Sequence, residues 1–205
     1  MARRTKEEAA ATRDSILDAA EKLFVEQGVS RTTLQHIASA AGVTRGAIYW
    51  HFGSKADLYT TLVRKFAARG SAVAQQAIAE GGTLLEVLRR VFVRQLTLVE
   101  EDKDVRALME LALFKTAVTP ELEAGRRQQI KEGKALIASM ADVMRQGIKQ
   151  GELRSDLDPV EIARTFIAFQ NGAIQLWLAA PKAFSLKASA EAFAGILIAG
   201  IHAQK

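Results

Sequence analysis

Hydrophobic positions recur along this chain at the spacings of a helix and almost nowhere at those of a strand. Over residues 8–27, Ile16, Leu17, Ala20, Leu23 and Phe24 fall on one stripe, the recurrence of an amphipathic helix. Gly28 then stands where a C-terminal glycine releases the chain. A second helix begins after Thr32 and Thr33 and carries Leu34, Ile37, Ala38 and Ala41 on one face. Gly42-Val43 turns the chain, and Thr44 is an N-cap for a third helix over residues 45–51, only about 10 Å long at the helical rise. Ser54, with Asp57 three residues on, approximates a capping box for a helix that reaches about residue 79 on Leu58, Leu62 and Phe66.

The stretch "EGG" (80–82) ends that helix. The next, over about 83–100, carries Leu85, Leu88, Phe92, Leu96 and Val99, and the acidic run "EEDKD" (100–104) separates it from Val105, Leu108, Met109 and Ala112. Thr119 and Pro120 form a cap and first-turn proline for a helix to Gln150, closed by Gly151. Asp158, Pro159 and Glu161 repeat the device, the glutamate completing a capping box. Two last helices, 159–180 and 186–203, are divided at Pro181. The pattern predicts an all-α chain, with a compact three-helix unit at residues 8–52 and a larger, more apolar body after it; the helix beginning near Lys55 belongs to both, since no linker separates them.

The last two helices are apolar nearly all round. One holds Val160, Ile162, Phe166, Ile167, Phe169, Ile174, Leu176 and Trp177; the other holds Phe193, Ile196, Leu197, Ile198 and Ile201. Such helices need cover on every side, and a chain of 205 residues covers both poorly. The pair reads as half of a four-helix interface between two copies, an ordinary monomeric core being the alternative.

Composition narrows the chemistry. Hydrophobic residues make up 49% and charged ones 25%, with three prolines, as in a globular, mainly helical protein. The formal charge of +5 permits a polyanionic partner, and residues 1–65 hold +3 of it. There is no cysteine, which excludes disulfides, cysteine nucleophiles and thiolate metal sites and fits a reducing cytoplasm. "MARRTK" is followed by acidic residues where a signal peptide needs an apolar run. The longest apolar stretch, "FAGILIAGI" (193–201), falls far short of the roughly 20 residues of a membrane span. His36, His51 and His202 have no partner at metal-ligand spacing, and no phosphate loop, dinucleotide fingerprint or nucleophile elbow occurs. The expectation is a cytoplasmic protein that is not an enzyme and holds no cofactor.

Candidate chemistry concentrates in "TTLQHIASAAGVTRGAIYWHF" (32–52). Two helices joined by a tight glycine turn fit a helix-turn-helix. The short third helix is long enough to lay one face in a major groove about 12 Å wide. Spacing sends Ile48 and Phe52 into a core with Leu23, Phe24, Ile37 and Leu58. Arg45, Tyr49 and the flank of Trp50 then face outward, while Gly46 and Ala47 let the backbone come close to bases. Arg45 suits bidentate contact with guanine O6 and N7. Thr44, Tyr49, His51 and Lys55 have donors for phosphate oxygens, and Lys55 lies among the free N–H groups of a helix start.

The stretch "TTLQHIASAAGVTRGAIYWHFGSKADL" resembles the DNA-binding signature of the TetR family of one-component transcriptional regulators. With the opening "RRTKEEA", its "TRGAIYWHF" is similar in particular to AcrR/TtgR-like repressors of multidrug efflux pumps. The resemblance is close over residues 1–65. It implies about nine helices, a DNA-binding domain (1–54), an effector-binding and dimerisation domain (55–205), and a homodimer formed through the last two helices. Such a dimer binds a palindromic operator and is released by a small apolar or aromatic effector. Carried over onto matching positions, Arg45, Gly46 and Tyr49 approach base edges. Thr33, Thr44, Ala47, Trp50, His51 and Lys55 lie along the DNA backbone, with Gln35 a further base-contact candidate. Arg3, Arg4 and Lys6 read either as an arm adding counterion-release affinity or as a solvated tail.

Relatives enclose a ligand among the helices of the body, and the residues expected to line it here are Phe66, Leu96, Met109, Leu113, Phe114, Ile137, Met140, Met144, Phe166, Phe169, Asn171 and Gln175. Plain core packing is the other reading of this stripe. The segment "AFQNGAIQLWL" has no acidic residue, which leaves no basis for preferring cations. Two other regulatory readings stay open: control of lipid or metabolite genes by an endogenous ligand, and a DNA-binding protein with no effector.

Overall fold

Capping side chains decide where most helices begin. The computed structural model describes residues 6–116 and 122–203. Its elements are α1 (Lys6–Gln27), α2 (Leu34–Ala40), α3 (Arg45–Phe52), α4 (Lys55–Ala79), α5 (Leu84–Glu101), α6 (Lys103–Glu110), α7 (Glu123–Lys149), α8 (Pro159–Ala179) and α9 (Leu186–Ile201), with one π turn over Leu111–Lys115. The all-helical expectation holds among the described residues, and none of these helices is long and apolar enough to cross a membrane.

Thr33 and Thr44 cap α2 and α3 as their positions imply, accepting the backbone N–H of His36 at 3.1 Å and of Ala47 at 3.2 Å. Ser54 accepts from the N–H of Asp57 at 3.0 Å and returns its own hydroxyl proton to the Asp57 carboxylate at 2.8 Å. Asp158 caps α8 by accepting from the N–H groups of Val160 and Glu161. The Glu161 carboxylate pairs with Arg164, so it is not the capping-box partner that its spacing suggested. A full capping box occurs instead at Thr83 and Glu86, at the head of α5. Thr119 and Pro120 lie outside the described residues, as do Arg3 and Arg4.

Packing divides the chain into two units: the described residues of Met1–Ala67 with Ala107–Arg127, and those of Ala68–Arg106 with Gln128–Lys205. This division falls within α4, beyond the functional boundary expected at residue 54.

In the first unit, α1 crosses α2 and α3 over Ile16, Phe24, Ile37 and Ile48, all fully buried. Phe52 is buried below them, with the Arg13 guanidinium 4.9 Å from its ring centre. Phe24 meets Tyr59 edge to face at 6.2 Å. At the C-terminal end of the π turn, Thr116 donates to the Leu111 carbonyl at 2.8 Å and approaches the Tyr59 hydroxyl at 3.4 Å. Leu113 and Phe114 of this turn are about half exposed.

In the second unit, α5 packs along α9 and α8. Phe92 is fully buried, edge-on to Phe166 at 5.5 Å and stacked on Phe169 at 5.8 Å, and Phe169 in turn meets Phe193. The Trp177 indole donates to the Phe184 carbonyl at 3.1 Å, and the Arg106 guanidinium lies over its ring. Glu100, from the acidic run, accepts from Ser185 and from the Lys187 N–H at the head of α9. At the opposite end of α5, Gly147 of α7 approaches so closely that a side chain there would strike Leu84 and Leu153.

Asp102 joins three elements of this unit. It caps the end of α5, its carboxylate accepts from the N–H groups of Asp104 and Val105 at the start of α6, and Arg69 of α4 donates to it at 2.8 Å. Burial pushes its pKa up, but the backbone N–H donors and Arg69 outweigh that and hold it below the usual carboxylate value of 3.8. A depressed folded-state pKa contributes stability above the unfolded value and loses it as pH falls through the folded one. Asp102→Asn keeps the caps and loses the charge. It is expected to cost about 1 kcal/mol at pH 7, with a gap to the wild type that closes below about pH 4 in urea titrations.

Candidate nucleic-acid interface

The face that α3 turns to solvent is built from a short helix held at both ends. Thr44 satisfies its N-terminus, and Gly53, in the left-handed region at φ 73°, closes its C-terminus on the Tyr49 carbonyl. Ile48 and Phe52 anchor the inner side. Arg45 and Gly46 are exposed, Tyr49 is 48% exposed and Trp50 74%. Arg45 and Tyr49 lie one turn apart on this face and touch, with Trp50 exposed next to Tyr49 in the chain. His51 is half-buried, its ring edge-on to Trp50 at 4.5 Å. Ala47 is half-buried, and a side chain at Gly46 would meet only Thr44 Oγ1 at 3.7 Å. Nothing in the protein itself therefore requires glycine at 46.

Arg45 lies along the helix beside Tyr49. Its guanidinium is 6.0 Å from the ring centre and its Nη2 donates to the hydroxyl at 3.5 Å. These two, with Ser30, Thr32, Thr33, Leu34, Gln35 and Lys55, line a cleft of about 450 Å³. It brings together five of the expected DNA-contact residues, while Thr44, Gly46, Ala47, Trp50 and His51 lie outside it along α3. Ser30, Thr32 and Leu34, for which no DNA contact is expected, complete its lining. From residue 27 to residue 56 the chain carries no carboxylate, while Arg31, Arg45 and Lys55 are all cationic. A stretch with cations and no carboxylate on a groove-sized helix suits the phosphates of a duplex.

The residues expected around an effector fall in both units. Phe66 is buried in the first, where Met109 is half-buried and Leu113 and Phe114 stand exposed. In the second, Leu96, Met144 and Phe166 are buried and Ile137, Met140 and Phe169 half-buried. Asn171 and Gln175 are exposed, on the outer stripe of α8 with Gly172 and Leu176. The helix α8 buries Ile162, Phe166, Ala173, Ile174 and Trp177, and the two amides lie off that stripe. The inward amides are Gln170 and Gln95. Gln170 donates to the Gln95 side chain at 2.6 Å, and Gln95 donates to the Gly70 carbonyl at 3.4 Å.

Fold and surface together define a helix-turn-helix DNA-binding protein with a separate helical body. Residues 16–62 match the model of bacterial regulatory proteins of the tetR family, and residues 83–202 match the C-terminal region of MAATS-type transcriptional repressors. The chain belongs to the TetR family. It is 35% identical over 199 residues to the HTH-type transcriptional regulator AcrR of Shigella flexneri, covering 97% of this chain and 93% of that one. Among solved structures it matches NalD, the secondary repressor of the MexAB-OprM multidrug efflux pump in Pseudomonas aeruginosa. That match has a TM-score of 0.87 at 26% identity, over 98% and 100% of the two chains. It also matches SmeT, the repressor of the Stenotrophomonas maltophilia multidrug efflux pump SmeDEF, with a TM-score of 0.75 at 30% identity over 93% and 90%.

Replacing Arg45 with alanine is expected to cost about 1–3 kcal/mol in operator binding and to relax preference at one base position. Competition between single-base variants of the selected duplex reads this out. Sequence preference unchanged in the variant would show that Arg45 touches no base.

Proposed function

We propose that this chain is a ligand-responsive transcriptional repressor that binds a palindromic operator as a homodimer in the cytoplasm. A small apolar or aromatic effector releases it, and the gene it controls encodes a multidrug efflux pump. The observation that carries the DNA half is the exposed Arg45–Tyr49–Trp50 surface within a carboxylate-free stretch. The efflux half rests on the likeness to NalD and SmeT, both repressors of multidrug efflux pumps, and SmeT has been solved with triclosan bound. These favour pump control over regulation of lipid genes.

In this reading Arg45, Gly46 and Tyr49 meet base edges, with Gln35 beside them. Thr33, Thr44, Ala47, Trp50, His51 and Lys55 follow the phosphates. The second unit supplies apolar and aromatic wall for an effector, with Leu96, Met140, Met144, Phe166 and Phe169, and methionines suit a permissive site. The helix α4 is continuous from Lys55 to Ala79, so a ligand that biases its C-terminal half acts on the same rod that carries Lys55. Only a ligand that prefers the state unable to bind DNA releases the operator. Triclosan titrated against a duplex selected by the protein from a random library is expected to weaken binding roughly 5–150-fold. Affinity unchanged by triclosan and by a broad set of apolar and aromatic compounds would sink the effector half.

A further inference from the structure

We propose that Thr32, which is no DNA-contact candidate, is a positioning residue for operator recognition: it fixes the turn between α1 and α2 and, through its carbonyl, holds the Lys55 ammonium in the cleft. The inference rests on the reading of this cleft as the DNA-facing side.

Thr32 has a fully buried side chain, and it is the buried polar one among the described residues. Its hydroxyl has one proton to give, shared between the Gly28 carbonyl at 2.8 Å and the Leu23 carbonyl at 3.3 Å. Gly28 is in the left-handed region at φ 83° and closes α1 on the Phe24 carbonyl. The bond from Thr32 therefore ties the far end of the turn back to the helix it has just left. The next residue, Thr33, is the N-cap of α2, so the register of that cap follows from the same anchor.

The Thr32 carbonyl accepts from Lys55 Nζ at 3.3 Å. Lys55 is the first residue of α4 and lines the cleft with Arg45 and Tyr49. A free lysine has a long, mobile stem whose ordering opposes binding. Tethered to a carbonyl that is itself fixed, the ammonium stands ready before any phosphate arrives. Packing alone does not call for this residue, because valine has the same shape without the hydroxyl.

The test uses the full chain as wild type, T32V, T32S, K55M and the T32V/K55M pair, against the duplex that the wild type selects from a random library. Affinity is measured across a salt series, and folding by circular dichroism and thermal melting. T32V is expected to bind about tenfold more weakly and, like K55M, to lower the salt slope by about one. T32S is expected to restore both, and the pair to be no weaker than K55M alone, as for two residues acting through one contact. Wild-type binding by T32V, an unchanged slope, or losses that multiply in the pair would overturn the proposal. So would a T32V chain that no longer folds, since the threonine would then serve the fold at large. A wild type that selects no duplex overturns the DNA-facing reading itself; an intact R45A loss beside a silent T32V overturns this inference alone.

Discussion

Replacing Phe92 with alanine is expected to remove about 3–5 kcal/mol of stability, the usual cost of deleting a fully buried aromatic ring. The residue has no exposed surface, so its whole side chain is lost from the core rather than from a half-wet edge. It also stands between two other rings, edge-on to Phe166 and stacked on Phe169. Each such pair adds about 0.5–1.5 kcal/mol beyond area burial. Collapse into the vacated space is restricted, because α5 is fixed at both ends: the Thr83–Glu86 box holds one, and Asp102 with Glu100 holds the other. For a chain of this length each kcal/mol moves the midpoint by about 2–4 °C, so a thermal melt is expected to fall by roughly 6–20 °C. A shift of one or two degrees would mean that the ring cluster contributes little to this unit.

Much of the fold is legible in the sequence because it is written in local chemistry. Thr33, Thr44 and Asp158 cap helices by bonding N–H groups two or three residues on, and Gly53 and Gly151 end them with positive φ. These interactions need nothing from the rest of the chain. Interactions that cross long sequence distances leave no such mark. Glu100 looks like part of an acidic spacer, yet it holds the head of α9, some 85 residues away. The π turn at Leu111 comes from a shift in backbone bonding that side-chain periodicity does not encode. The box at Thr83 is local too: a threonine followed three residues on by Glu86, next to the glycine signal of "EGG".

The same contrast separates the two candidate sites. Helix α3 has one apolar edge, Ile48 and Phe52, so its outward face follows by subtraction, and Arg45, Tyr49 and Trp50 are exposed as that subtraction requires. Helix α8 is apolar on nearly every side, so its periodicity cannot say which side is inner. Asn171 and Gln175 thus read as interior amides, although the buried stripe passes elsewhere and the inward amide is Gln170. Gln95, its partner, is hidden in a polar stretch of α5 and signals nothing until the two helices meet.

The outer stripes of α8 and α9 lead to the second large effect. Leu176 and Ile196 are 63% and 68% exposed in the single chain. Beside them Gly172, Gly195 and Gly200 have open space where a side chain would stand, and a groove of about 360 Å³ runs between the two helices past Thr165, Phe169 and Ile196. Bare glycines and isolated large apolar residues on adjacent helices suit close approach by another helix pair, and the proposed partner is a second copy. In a two-fold contact a substitution enters twice. Ile196→Arg is therefore expected to leave the melting of the single chain nearly unchanged, since exposed positions tolerate change within about 0.5 kcal/mol. Each guanidinium buried unpaired in the interface is expected to cost about 2–5 kcal/mol, enough to make the protein monomeric in sedimentation at micromolar concentration. Operator binding falls with it, because the second half-site is no longer bound at the high effective concentration of a linked module, a loss of about 10²–10⁴-fold. A duplex carrying one half-site is expected to bind wild type and variant alike. A variant that stays dimeric, or that loses half-site and palindrome binding equally, would place the pairing surface somewhere other than α8 and α9.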